Sequence, residues 1–158
     1  MRFTVRQVMT KRVVTIPISA TVDDVFDLLL RHNVSGLPVV DGDDRLVAVV
    51  SEADLFRLLD TPASQSTALA ELWTAGVISV RPEDTLPDVI DLFRAHQVRR
   101  FPVVDDEGKL IGVVSRRDVI RMIRDVRVRV ARECQTLHER VTASAMGAAA
   151  IMAAAAAE

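Results

Sequence analysis

The chain has 158 residues, a formal net charge of −2, 49% apolar and 27% charged residues. This is globular composition for one domain or two small ones, and its near-neutral charge argues against a dedicated nucleic-acid binder. Aromatics make up 4% with no tyrosine, so the core is aliphatic, and the single Cys134 excludes an intrachain disulfide or a cysteine zinc cluster.

Thr4-Val5-Arg6-Gln7 has capping-box spacing and predicts a short first helix. Val13-Val14-Thr15-Ile16 is a β-branched run predicted as a strand stopped by Pro17. Thr21 stands three residues before Asp24 and opens a helix whose apolar stripe is Val22, Val25, Phe26 and Leu29. Strands follow over 37–40 and 46–50, joined by the turn cluster Asp41-Gly42-Asp43-Asp44. These runs do not alternate, which predicts burial on both faces. The sequence then restarts. Residues 8–59 and 72–123 align without a gap at an offset of 64, with nineteen of fifty-two positions identical. The second copy opens its helix at Thr85 and Asp88, with Leu86, Val89, Ile90 and Phe93 as the stripe.

The predicted organisation is repeat 1 over 1–60, a linker over 61–67, repeat 2 over 68–124 and a C-terminal helical, Ala-rich extension over 125–158. From residue 116 the apolar positions Val119, Ile123, Val126, Val130, Cys134, Leu137 and Val141 step by three or four. They predict a helix that outlasts the second repeat and needs a partner for its stripe. Neither the N-terminal residues nor the Ala-rich end has the length and hydropathy of a signal peptide or a membrane span, so a soluble cytoplasmic protein is expected.

No catalytic grouping is readable. His32 and His96 share one place in the two repeats, at a helix end where a cation is favourable. There is no HExxH or CxxC, and the glycines fit neither a dinucleotide nor a Walker loop. The chain reads as not an enzyme. Ser51-x-x-Asp54 and its copy Ser115-x-x-Asp118 each follow a strand. They suit a helix cap with a first-turn carboxylate, or a hydroxyl and carboxylate facing a cleft where ribose or phosphate binds. Ahead of the shared proline, repeat 1 has Ser35-Gly36 where repeat 2 has Arg99-Arg100. These arginines are ordinary surface charge or a phosphate site.

Together these residues resemble the cystathionine-β-synthase (CBS) domain pair, or Bateman module. The matches are Val14-Thr15-Ile16, His32-x-x-Ser35-Gly36-Leu37-Pro38-Val39-Val40-Asp41 and Val49-Val50-Ser51-x-x-Asp54, each with a second-repeat counterpart. The resemblance implies an α/β (α+β) fold of tandem βαββα repeats with short mixed sheets, packed about a pseudo-twofold axis. It implies two clefts for adenosine-containing ligands: AMP, ADP or ATP, with S-adenosylmethionine or a dinucleotide as other members of the class. No cofactor is required. Carried over by position, Asp54 and Asp118 would hold ribose, and Ser51 and Ser115 ribose or phosphate. Thr15, Ile16, Ser79 and Val80 would edge the adenine, and Pro38 and Pro102 would shape the walls. Arg99 and Arg100 would bring phosphate contacts to the Asp54 cleft, opposite Gly36, so the clefts are expected to be unequal, with Arg116 and Arg117 as possible substitutes in the second. The implied function is a regulatory, energy-sensing module acting as a homodimer or on a separately encoded protein. The alternative is a scaffold with vestigial clefts working through its C-terminal helix.

Overall fold

The chain, seen here as a computed structural model, is described over residues 3–57, 73 and 76–155, with side chains described through 144. It divides into two compact units, Met1–Val119 and Ile120–Glu158. The predicted linker lies outside the described residues.

In the first unit, a 3-10 turn at Val5–Gln7 leads to β1 (Ile16–Pro17), α1 (Val22–His32), β2 (Gly36–Val40), β3 (Leu46–Ser51) and α2 (Glu52–Phe56). Repeat 2 supplies α3 (Leu86–Ala95), β4 (Arg100–Val104), β5 (Leu110–Ser115) and the start of α4 (Arg116–Ala155). The capping signal at Thr21 holds at residue level, whereas Thr85 makes no side-chain bond to the α3 backbone and its hydroxyl donates to Asp88 at 2.6 Å. Thr21 Oγ1 accepts from the Asp24 N–H at 3.3 Å while Asp24 accepts the Thr21 N–H at 2.8 Å. The Thr21 N–H and then its hydroxyl, both donating to the Asp24 carboxylate, pull that carboxyl below its ordinary value.

One sheet runs β1-β2-β3 and the other β4-β5. The strand expected at 13–16 is later and shorter than its β-branched run predicts. Only Ile16 and Pro17 pair, in parallel with Val39 and Val40. In repeat 2 the corresponding stretch is a single parallel bridge, Val80 to Val103. Two-faced burial holds along β2, where Leu37 to Val40 are all buried. It fails in β3 and β5, where every second residue near the strand end is only half-covered. The β2–β3 and β4–β5 turns are built alike: Asp41 Oδ1 accepts the Asp43 and Arg45 N–H groups, both at 2.9 Å, and Asp105 Oδ1 does the same for Glu107 and Lys109. Asp44 (φ 61°) and Gly108 (φ 80°) occupy the same left-handed position, which glycine adopts at less cost.

The pseudo-twofold axis is written in hydrogen bonds. Leu46 N–H donates to Gly108 O at 3.1 Å and Leu110 N–H donates to Asp44 O at 2.9 Å, each the 64-residue image of the other, around an Arg45–Lys109 bridge. The opening segment of the chain belongs in space to repeat 2. Thr10 and Val113 exchange both backbone bonds at 2.9 Å, Val5 N–H donates to Asp84 O, and Leu86 N–H donates to Phe3 O. A Cβ on Gly112 would meet Thr10 O at 3.0 Å and Met9 Sδ at 3.1 Å, so this close approach requires glycine where repeat 1 has the fully buried Ala48. Conversely, Trp73 and Val77 pack against the repeat 1 core of Ile16, Val25, Leu37 and Val50.

The predicted long helix is present as α4, 40 residues or about 60 Å at 1.5 Å per residue. Beyond Val119, which is buried, its described side chains are half-covered or exposed.

Candidate functional site

A cavity of about 480 Å³ opens between the repeats in the first unit. Four symmetry-related positions contribute from both sides: Ser35 with Arg99, Gly36 with Arg100, Pro38 with Pro102, and Val49 with Val113. The cavity then leans to one side. The end of β3 and the start of α2 add Ser51, Glu52, Ala53 and Phe56, whereas Ser115 and Arg116 do not reach it. Six of the residues singled out from sequence thus meet in one place: Gly36, Pro38, Ser51, Arg99, Arg100 and Pro102.

The two arginines stand at the entry of β4, exposed, with no hydrogen-bond or ion-pair partner for their side chains among the described residues. Close to them, the Glu52 carboxylate is likewise unpaired. A wall carrying two adjacent guanidiniums suits an anion with several oxygen acceptors. The 67% exposed Phe56 adds an aromatic surface.

Ser51 and Asp54 form a capping box. Asp54 is 7% exposed, and its Oδ2 accepts from Ser51 N–H at 2.9 Å and Ser51 Oγ–H at 2.6 Å. Its Oδ1 lies 3.5 Å from Arg57. Asp118 Oδ2 accepts from Ser115 N–H at 2.9 Å and from the Ser115 hydroxyl. Capping therefore occupies one oxygen of each aspartate, and neither aspartate lines the cavity. Thr15, Ile16, Ser79 and Val80 do not line it either. Ile16 is fully buried, Val80 is 2% exposed, and the Val80 backbone bonds to Pro102 O at 2.9 Å and Val104 N–H at 3.0 Å. The Ile16 and Val80 side chains are core, and Thr15 and Ser79 are half-buried.

Arg116 is engaged elsewhere. Its guanidinium donates to Phe93 O at 2.8 Å and His96 O at 3.1 Å and lies 5.6 Å from the Phe93 ring centroid. It closes the carboxyl end of α3, a task that left-handed Asn33 performs for α1 by its own N–H. Arg116 is thus a helix cap and no substitute for an anion-binding group. Sequence reasoning missed Glu52, Phe56, Gln97 and Val98. The signal for the first lay in the middle of the Ser-x-x-Asp motif, Glu52-Ala53 against Arg116-Arg117. Among the described residues no group of three or more His, Cys, Asp and Glu could hold a metal ion, and no helix is long and apolar enough to cross a membrane.

A fold of two swapped, symmetry-related βαββα repeats enclosing such a cleft defines the CBS-domain class. The CBS domain family model matches residues 5–61 and 74–125, so this chain belongs to the CBS-domain family. Inosine-5'-monophosphate dehydrogenase of Methanocaldococcus jannaschii is 30% identical over 115 residues, covering 73% of this chain and 22% of the enzyme. Uncharacterized protein MJ1225 of the same organism is 30% identical over 119 residues, covering 75% of this chain and 42% of the relative. The chain therefore spans less than half the length of these curated relatives. A crystal structure of CBSX2 in complex with AMP superposes with a TM-score of 0.70 at 34% identity, covering 79% of this chain and 98% of that one. CBSX2 is a chloroplastic CBS domain-containing protein of Arabidopsis thaliana.

Proposed function

We propose that the cleft binds an adenosine-containing nucleotide such as AMP, ADP or ATP, and that the chain is a non-catalytic regulatory module. The observation that carries this reading is the pair of unpartnered guanidiniums, Arg99 and Arg100, in a cavity that also presents Ser51. The AMP complex of CBSX2, a related CBS pair, supports the ligand class. In this reading the phosphate meets Arg99 and Arg100, and the Ser51 oxygen, whose proton goes to Asp54, accepts from a ribose hydroxyl. Asp54 lies behind Ser51 and acts on the site through it, its Oδ2 fixing the Ser51 hydroxyl. The Asp118 cleft is the weaker site, because Ser35-Gly36 brings no cation and Arg116 is committed to α3. A ligand bridging both repeats and preferring one packing would shift the population of a homodimer or of a bound partner.

Calorimetric titration tests the site. Arg100→Ala is expected to weaken AMP by roughly 10- to 100-fold, the range of one or two charge-assisted hydrogen bonds. Adenosine binding should change little. Equal losses for both would overturn the phosphate assignment. The exposed stripe of α4 favours a scaffold as the second reading. A ligand at 100 times its Kd stabilises by about 2.7 kcal/mol, so the absence of a thermal shift with any adenine nucleotide would leave the scaffold standing.

A further inference from the structure

Beyond Val119 no described apolar side chain of α4 is buried: Val126 is half-covered, and Ile123 is 45%, Val130 51% and Leu137 58% exposed. From Ile123 the stripe runs Val126, Val130, Cys134, Leu137, in steps of three, four, four and three. That spacing reads the same in both directions about Val130. The charges are not symmetric. Residues 120–132 hold Arg121, Arg124, Arg127, Arg129 and Arg132 against one acid, Asp125, whereas residues 133–144 hold Glu133 and Glu139 against Arg140 alone.

We infer that α4 pairs with α4 of a second copy, antiparallel and centred on Val130. A two-fold axis there places Ile123 against the partner's Leu137, Val126 against the partner's Cys134, and Val130 against its own counterpart, so one self-complementary surface serves both copies. The orientation follows from charge. A parallel, in-register pair sets the arginine-rich half beside itself. The antiparallel pair sets it beside the half carrying Glu133 and Glu139, and aligns opposite helix dipoles. Arg129 and Glu133 are four residues apart on the same flank of the stripe, where antiparallel packing turns each toward the other residue of the partner. These five positions span fourteen residues in four steps, the heptad spacing that keeps a stripe facing its partner when two helices wrap gently around each other with a left hand. This pairing stands independently of what the cleft binds.

The native Cys134 makes the arrangement measurable on the full-length chain. In the antiparallel register the two Cys134 residues lie about 12 Å apart along the axis, eight residues at 1.5 Å each, beyond disulfide reach. Val126→Cys places a new thiol opposite Cys134. Under mild oxidation this variant is expected to run as a linked dimer on a non-reducing gel while the unaltered chain does not. Adding Val130→Asp should abolish the link at equal protein concentration with no loss of secondary structure by circular dichroism. Linkage of the unaltered chain through Cys134 would overturn the register and orientation. No linkage in Val126→Cys, or linkage that survives Val130→Asp, would overturn the pairing.

Discussion

The two repeats share their backbone plan and differ in how they use it. Repeat 1 ends α1 with a left-handed Asn33 and sets Glu52 at the cleft, whereas repeat 2 ends α3 with the Arg116 side chain and sets two arginines at the entry of β4, with no partner for these three charges among the described residues. Repeat 1 packs Leu29 and Leu37 where repeat 2 packs Phe93 and Phe101, whose rings lie 4.7 Å apart. Duplication preserves the apolar core and the Ser-x-x-Asp capping boxes that open α2 and α4, which constrain only apolarity and backbone bonding. It leaves free the few positions at the shared cleft, and there the copies have become complementary.

That contrast can be broken by substitution. The largest effect is expected from Phe101→Ala. It removes a side chain 1% exposed and should cost about 3–5 kcal/mol in denaturant unfolding, with Leu37→Ala in the lower part of the roughly 2–5 kcal/mol range for an aliphatic. Next, Gly112→Val forces Met9 and Thr10 away from β5 and should cost roughly 1–3 kcal/mol by overpacking. The converse change, Ala48→Gly in repeat 1, should cost about 1 kcal/mol or less. Arg116→Ala frees the end of α3 and should lose about 1 kcal/mol, while Glu52→Ala should leave unfolding within about 0.5 kcal/mol as an ordinary surface change.

The smallest expected effect is a pH dependence. Backbone N–H groups of Arg45 and Asp43 hold Asp41 below the ordinary 3.8, and Thr21 does so for Asp24. A carboxylate lowered on folding stabilises fully above its unfolded pKa, and the contribution is lost as pH falls through the folded value. Urea midpoints should therefore fall slightly between pH 5 and pH 3, and Asp41→Asn should flatten that slope. An unchanged slope would show that these turn bonds do not distinguish the charged form.

Most of the fold was legible because its signals are local. Thr21 with Asp24, Thr85 with Asp88, and the stripe from Val119 onward need only neighbours three or four residues away. The strand before α1 is shorter than its β-branched run predicts because its length depends on where β2 offers pairing partners, which Val13 and Val14 do not meet. At the cleft, the comparison of copies singles out Arg99, Arg100 and Ser51, which line the cavity. Ile16 and Val80, expected at adenine edges, have core side chains, because a β-branched residue reads alike whether it faces a ligand or a core. The tasks of Glu52 and Arg116 depend on which element lies opposite, and neighbouring sequence does not carry that information.

The exchange of opening segments has a topological consequence. The stretch copied along the chain is not the body that packs in space, since residues 3–10 complete the second repeat and Trp73 lies on the first. A gene encoding one copy would specify a chain whose leading segment fits only another molecule. Such a chain would find its missing piece by reciprocal exchange with a twin, and fusing two copies end to end turns that exchange into an intramolecular one.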